Sequence, residues 1–130
     1  MLVADTSAWV EYLRGTGSPV HLALRSCVNT REVTLLEPVK AELLVGARSS
    51  VELAQLRRLL DGLEIELVHP RDDFDAAVDI HLRCRSVGVT PRGLVDCLIA
   101  AMAQRCGSPL LHADSDLAAI AAVVGIEEVL

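Results

Sequence analysis

Gly93-Leu94-Val95-Asp96-Cys97-Leu98-Ile99-Ala100-Ala101-Met102-Ala103 is the stretch whose reading decides the fold. It is apolar on every side of a 3.6-residue period apart from Asp96, the pattern of a helix buried all round. Gly107 ends it, and Leu110-Leu111 follows as a short apolar strand that stops at His112-Ala113-Asp114-Ser115-Asp116. Asp96 is the anomaly. Burying an ionised carboxylate costs roughly several kcal/mol unless a cation, a metal or good donors compensate it. The one cationic residue within a turn is Arg92, at i−4. A cap, or a side chain reaching solvent at the edge of the helix, is the plain alternative.

Working outward, the chain alternates short apolar runs with helical periods. Leu2-Val3-Ala4 reads as a buried strand ending in the capping run Asp5-Thr6-Ser7. Trp9, Val10 and Leu13 carry a helix to Gly15, and a second helix spans 19–27. Residues 33–36 form the second strand, and Pro38 suits the first position of a helix that ends at Gly46. An amphipathic helix over 51–63 precedes a third strand at 65–68 and a long helix over 72–87. Thr90-Pro91 reads as N-cap plus first position of the Asp96 helix. A last helix covers 117–124, with an edge strand over 126–130. Short apolar strands alternating with helices predict an α/β fold, a three-layer α/β/α sandwich around a central parallel sheet.

At 130 residues, with no linker or repeat, the chain is read as a single domain over 1–130. Aromatic content of 2% leaves only Trp9, Tyr12 and Phe74, so little is available for a base-stacking platform. The net charge of −6 excludes bulk attraction to nucleic acid. Eleven of the twelve basic residues are arginine, which favours bidentate phosphate contacts, although a GC-rich coding bias gives the same excess. No secretory signal is visible, and the longest uncharged apolar run, 117–126, is too short for the ~20 residues of a membrane span. Cys27, Cys84, Cys97 and Cys106 lack C-x-x-C spacing, so a cytoplasmic chain with reduced thiols is expected.

Acids recur by structural role. Asp5 and Asp114 each follow an apolar strand, and the carboxyl ends of strands form the ligand crevice of an open α/β sheet. Glu42 lies one turn into the helix after the second strand, Asp96 in the helix before the fourth, and Asp116 two residues past Asp114. Clustered carboxylates without basic partners repel one another and suit a hard divalent cation, magnesium or manganese, over zinc. Metal-dependent phosphodiester hydrolysis is the natural chemistry of such a site. Taken singly, Asp5, Asp114 and Asp116 read equally as helix caps and Glu42 as a solvated helix residue. Arg83, Arg85 and Arg92 gather around the start of the Asp96 helix, as a solvated helix end or as contacts for a phosphate backbone.

The ordered set Asp5-Thr6-Ser7, Val39-Lys40-Ala41-Glu42-Leu43-Leu44, Leu94-Val95-Asp96-Cys97-Leu98-Ile99-Ala100-Ala101 and His112-Ala113-Asp114-Ser115-Asp116 resembles the PIN domain, in particular the VapC toxins of VapBC toxin–antitoxin pairs. The resemblance spans essentially the whole chain. It implies a sheet ordered 3-2-1-4-5 and a Mg2+- or Mn2+-dependent endoribonuclease that arrests growth until a VapB antitoxin blocks it. It implies Asp5, Glu42, Asp96 and Asp114 as the catalytic, metal-holding acids, Asp116 as a further metal-holding acid, and Thr6 or Ser7 as the hydroxyl that hydrogen-bonds within the site. Arg92, Arg83 and Arg85 are the candidate substrate contacts. A homodimer and a toxin–antitoxin hetero-oligomer are also implied, with Trp9 and Tyr12 as candidate contact surface. Leu117 stands where an aromatic residue often follows the last acid, and His112 where threonine is common. The enzymatic rival is a receiver-like phosphoacceptor, which needs a lysine near its last strand; Lys40 is the only lysine here. A binding module of the same fold with a decayed site is the non-catalytic rival.

Overall fold

Leu2, Val3 and Ala4, all buried, form β1 (Leu2–Ala4) at the centre of a five-stranded parallel sheet. The computed structural model describes residues 1–130. Chain order runs β1, α1 (Thr6–Arg14), α2 (Pro19–Thr30), β2 (Val33–Leu36), α3 (Glu37–Val45), α4 (Ser50–Asp61), β3 (Glu64–Glu66), α5 (Pro70–Ser86), α6 (Leu94–Cys106), β4 (Leu110–Leu111), α7 (Ser115–Val124) and β5 (Glu128–Val129). In space the strands lie in the order β3-β2-β1-β4-β5, as the family resemblance implied. Crossovers step from β1 to β3 in one direction and from β4 to β5 in the other. Right-handed parallel connections therefore set helices on both faces, giving the α/β sandwich.

The sheet is sealed by one cluster of 27 buried residues built mainly from Leu, Val, Ile and Ala, with Trp9 fully enclosed. Trp9 packs edge-on against Tyr12, ring centroids 5.6 Å apart, so the expected contact surface at Trp9 is core. Residues 97–103 of α6 are buried without interruption, whereas Leu94 and Val95 at its start are exposed. The helix thus dives from the surface into the core, with Asp96 at the crossing.

Two expectations are corrected. α6 begins at Leu94 with the extended Gly93 as N-cap, because Pro91 is buried against the core instead of opening the helix. The third strand is Glu64–Glu66, not 65–68, and it is an exposed edge with Ile65 37% and Leu67 55% accessible. Its last residue is held by charge. Arg105, near the end of α6, donates to Glu66 Oε1 (2.7 Å), to Asp73 on α5 (2.8 and 2.9 Å) and to the Leu67 carbonyl (3.2 Å). Asp73 is only 2% exposed. Burial alone would raise its carboxyl, but the hydrogen bonds from Arg105 and the His69 amide outweigh burial and hold it below the usual 3.8.

Replacing Arg105 with Met leaves Asp73 buried and unpaired, and we expect a loss of about 3 kcal/mol in urea unfolding at neutral pH. A carboxyl with a lowered folded pKa contributes fully above its unfolded value of 3.8 and loses that contribution as pH falls through the folded value. The gap between wild type and variant should therefore close below pH 4.

Candidate active site at the carboxyl edge of the sheet

β1 and β4 pair in parallel with Ala4 opposite Leu111, and the Asp5 amide donates to the Leu111 carbonyl (3.0 Å). The chain leaves both strands at the same edge, where Asp5 is the N-cap of α1 and Asp114 the N-cap of α7. Capping and site membership are therefore not alternatives. Asp5 Oδ1 accepts the Ala8 amide (3.0 Å), and the Ser7 hydroxyl donates to the same carboxylate (2.7 and 2.9 Å). Asp114 Oδ1 accepts the Asp116 amide (2.9 Å). Ser7 Oγ in turn accepts the Ala113 amide (2.8 Å), so one hydroxyl ties both acid-bearing turns together.

Glu42, on α3, is brought in by the neighbouring strand β2, and the Thr6 hydroxyl donates to its Oε1 (2.6 Å). Asp96 sits in the first turn of α6, whose N-terminus has no side-chain cap. The positive end of the helix dipole partly offsets its burial. Its environment is the most telling feature of the edge. Burial and then the charges of Asp114, Glu42 and Asp5 all push the Asp96 carboxyl above its usual range, with Arg92 pulling weakly the other way. Asp96 on α6 therefore lies within electrostatic reach of three acids carried by other elements, Asp5, Glu42 and Asp114. Asp5, 3% exposed, is also pushed up by burial despite its hydrogen bonds.

Of the three arginines grouped in sequence, only Arg92 touches these acids. Its guanidinium donates to Asp114 Oδ2 (3.1 Å) and pairs with the Asp116 carboxylate, not with Asp96. Arg83 is engaged elsewhere, donating to the Val123 carbonyl (3.2 Å) and tying α5 to α7. Arg85, further along α5, makes no hydrogen bond to an acid of the edge. Lys40 binds Asp61 (3.0 Å) and joins α3 to α4, so it is not the lysine that a receiver-like site requires. Sequence reading missed Arg14 and Arg48. With Thr6 and Glu42 they line a cavity of about 640 Å3 whose walls include Leu13 and Leu56. Thr6 and Glu42 thus belong to the acidic edge and to this groove at once.

As placed, no three of the acidic, histidine or cysteine side chains close around a single point. The donor set nevertheless fits magnesium or manganese, because such ions keep several waters and take only one or two carboxylates directly. Oxygen donors alone, with the nearby His112 engaged by Glu128 at 2.7 Å, suit a hard cation better than zinc.

The chain and its fold have counterparts among known proteins. A family model described as PIN domain matches residues 2–123. The chain is 38% identical over 129 residues to a VapC ribonuclease of Mycobacterium bovis and to Ribonuclease VapC11 of Mycobacterium tuberculosis. In each case the match covers 98% of this chain and 96% of the relative. The fold is shared with a DNA-bound VapBC from Salmonella typhimurium, at a TM-score of 0.73, 22% identity and coverage of 99% of this chain and 98% of the other. It is shared too with a toxin-antitoxin complex from Klebsiella pneumoniae, at a TM-score of 0.71, 19% identity and 91% coverage of each chain.

A carboxyl whose folded pKa is raised binds its proton more tightly in the folded state. It favours folding while protonated and opposes folding once pH rises through the folded value. Asp96→Asn should therefore raise Tm at pH 7.5 in EDTA, with the gain shrinking as pH falls toward the unfolded value of 3.8. Differential scanning calorimetry across that range checks the sign.

Proposed function

The chain belongs to the PIN domain family, and on that footing we propose that it is a VapC-type toxin, a Mg2+- or Mn2+-dependent endoribonuclease neutralised by a VapB antitoxin. The observation that carries this reading is the electrostatic convergence of Asp5, Glu42, Asp96 and Asp114 at one sheet edge. Four like charges drawn from four elements are unfavourable for folding alone, and a bound cation relieves them. The 38% identity to named VapC ribonucleases across nearly the full length supports the reaction class.

In this reading Asp5, Glu42, Asp96 and Asp114 hold the metal directly or through waters, and Asp116 adds a further carboxylate. A divalent cation supplies a lowered pKa for water and charge neutralisation at the phosphoryl oxygens. The rest falls to the chain itself. Ser7 and the Ala8 amide fix the Asp5 carboxylate in one orientation, and Thr6 does the same for Glu42. Arg92 neutralises Asp114 and Asp116 in the absence of substrate, and its 70% exposure leaves the guanidinium accessible to an RNA phosphate. Arg83 and Arg85 remain candidates for more distant backbone contacts. His112 is bonded at both ring nitrogens and does not serve as a general base.

The groove beside Thr6 and Glu42, with Leu13 and Leu56 in its walls and Arg14 and Arg48 lining it, suits a segment of the antitoxin that would block the site. An apolar stripe on α5, Phe74, Val78 and Leu82, each more than two-fifths exposed, supports homodimer contacts and, through them, a larger toxin–antitoxin assembly. No helix is long and apolar enough to cross a membrane; action as a single domain in the cytoplasm is part of this proposal. Growth arrest then follows from cleavage of RNA needed for translation.

Asp5→Asn and Asp96→Asn should each lower Mn2+-dependent cleavage of RNA by roughly 100-fold or more while circular dichroism stays native. EDTA should abolish cleavage by the wild type. Undiminished cleavage by both purified variants would overturn the assignment. Induction of the wild type without an antitoxin should stop growth and generate new RNA 5′ ends that the Asp96→Asn chain does not produce.

A further inference from the structure

The turn that carries Asp114 hangs between the end of β4 and the start of α7, where neither strand nor helix fixes its first amides. Two consecutive N–H groups in it are nonetheless captured. The Ala113 amide goes to Ser7 Oγ (2.8 Å), and the Asp114 amide goes to His112 Nδ1 (3.2 Å). An imidazole nitrogen that accepts a hydrogen bond carries no proton, which leaves the other nitrogen as the donor in the neutral ring. Nε2 of His112 lies 2.7 Å from Glu128 Oε2, an acceptor-only group, so both contacts require the same tautomer.

This side chain is held firmly. Its accessibility is only 10%, and Glu128 lies on β5, whose register against β4 sets Glu128 opposite Leu110 and Val129 opposite Leu111. β5 is two residues long and lies at the edge of the sheet, so its pairing with β4 does little to fix the turn beyond Leu111. The imidazole bridges that gap. It converts a short edge strand at the end of the chain into a brace for the Asp114 turn.

We propose that His112, oriented by Glu128, is the positioning residue for Asp114. It fixes the backbone amide of that acid so that the carboxylate points into the shared acidic edge. The proposal rests on the reading of Asp114 as a metal-holding acid, and it assigns His112 no metal contact and no proton transfer. Groups that orient a ligand typically cost ~10–100-fold in metal affinity when removed.

The test compares His112→Ala with His112→Asn, whose side-chain oxygen lies close to the Nδ1 position but cannot reach Glu128, and Glu128→Ala with Glu128→Gln, which still accepts from Nε2. Amide hydrogen exchange at Asp114 and calorimetric titration with Mn2+ are read on each purified chain. His112→Ala should lose protection at Asp114 and bind Mn2+ roughly tenfold more weakly. His112→Asn should recover both, even though its Tm stays low for want of the Glu128 contact. Glu128→Gln should behave as wild type and Glu128→Ala should not. A merely structural histidine would make affinity track Tm across the set, and that result would overturn the proposal. So would wild-type exchange and wild-type affinity in His112→Ala. A wild-type chain that binds no Mn2+ would overturn the metal reading instead, and Asp114 exchange would then decide the His112 assignment by itself.

Discussion

The parallel pairing of β1 with β4 is the contact on which the acidic edge depends. Ala4 stands opposite Leu111, so the two chain exits are level, with Asp5 directly after β1 and Asp114 three residues past the end of β4. The order β3-β2-β1-β4-β5 then brings the helix after β2, with Glu42, to one flank. The buried run of α6 delivers Asp96 from the other direction. A slip of one residue between β1 and β4 would exchange the side chains packed on the two covered faces and shift the two strand-end acids relative to each other. Fully buried residues on both strands resist such a slip.

That geometry sets function against stability. Asp5 and Asp96 are both pushed toward higher pKa values, first by burial, and the charges of its three acidic neighbours add to this at Asp96. The fold tolerates the repulsion by local means. Asp5 and Asp114 cap helices, Asp96 lies at a helix N-terminus, Thr6 and Ser7 hold carboxylates, and Arg92 neutralises Asp114 and Asp116. The Arg105–Asp73–Glu66 network fastens the edge strand far along α6 from this site. One end of α6 thus bears charge held by an ion-pair network, and the other bears a carboxyl pushed up by burial and by its acidic neighbours.

Much of this was legible in the sequence because it rests on local pattern. The apolar runs at β1, β2 and β4, the all-apolar α6 and the acids at strand ends can each be read within a few residues. What failed depends on distant partners. Arg105 meets Asp73 and Glu66 across 32 and 39 residues, which no periodicity reports. The apolar residues Ile65 and Leu67 suggested a buried strand, yet β3 lies at the sheet edge and leaves them accessible. Thr90-Pro91 has the chemistry of a helix start, but burial of Pro91 moved the start to Leu94. Arg92 was singled out in the sequence as a candidate substrate contact. Its pairing with Asp114 and Asp116, not Asp96, required the turn before α6 to be seen in space. Trp9 was offered with Tyr12 as candidate contact surface, and the structure encloses it completely.

The central claim is that four acids from four elements form one cation site. Isothermal titration of Mn2+ into the wild-type chain and into Asp96→Asn at neutral pH tests it most directly, since Asp96 is the acid that responds to the other three. The wild type should show saturable binding that the substitution weakens by at least roughly tenfold. Absence of saturable binding in the wild type, or equal affinity in both chains, would contradict the claim.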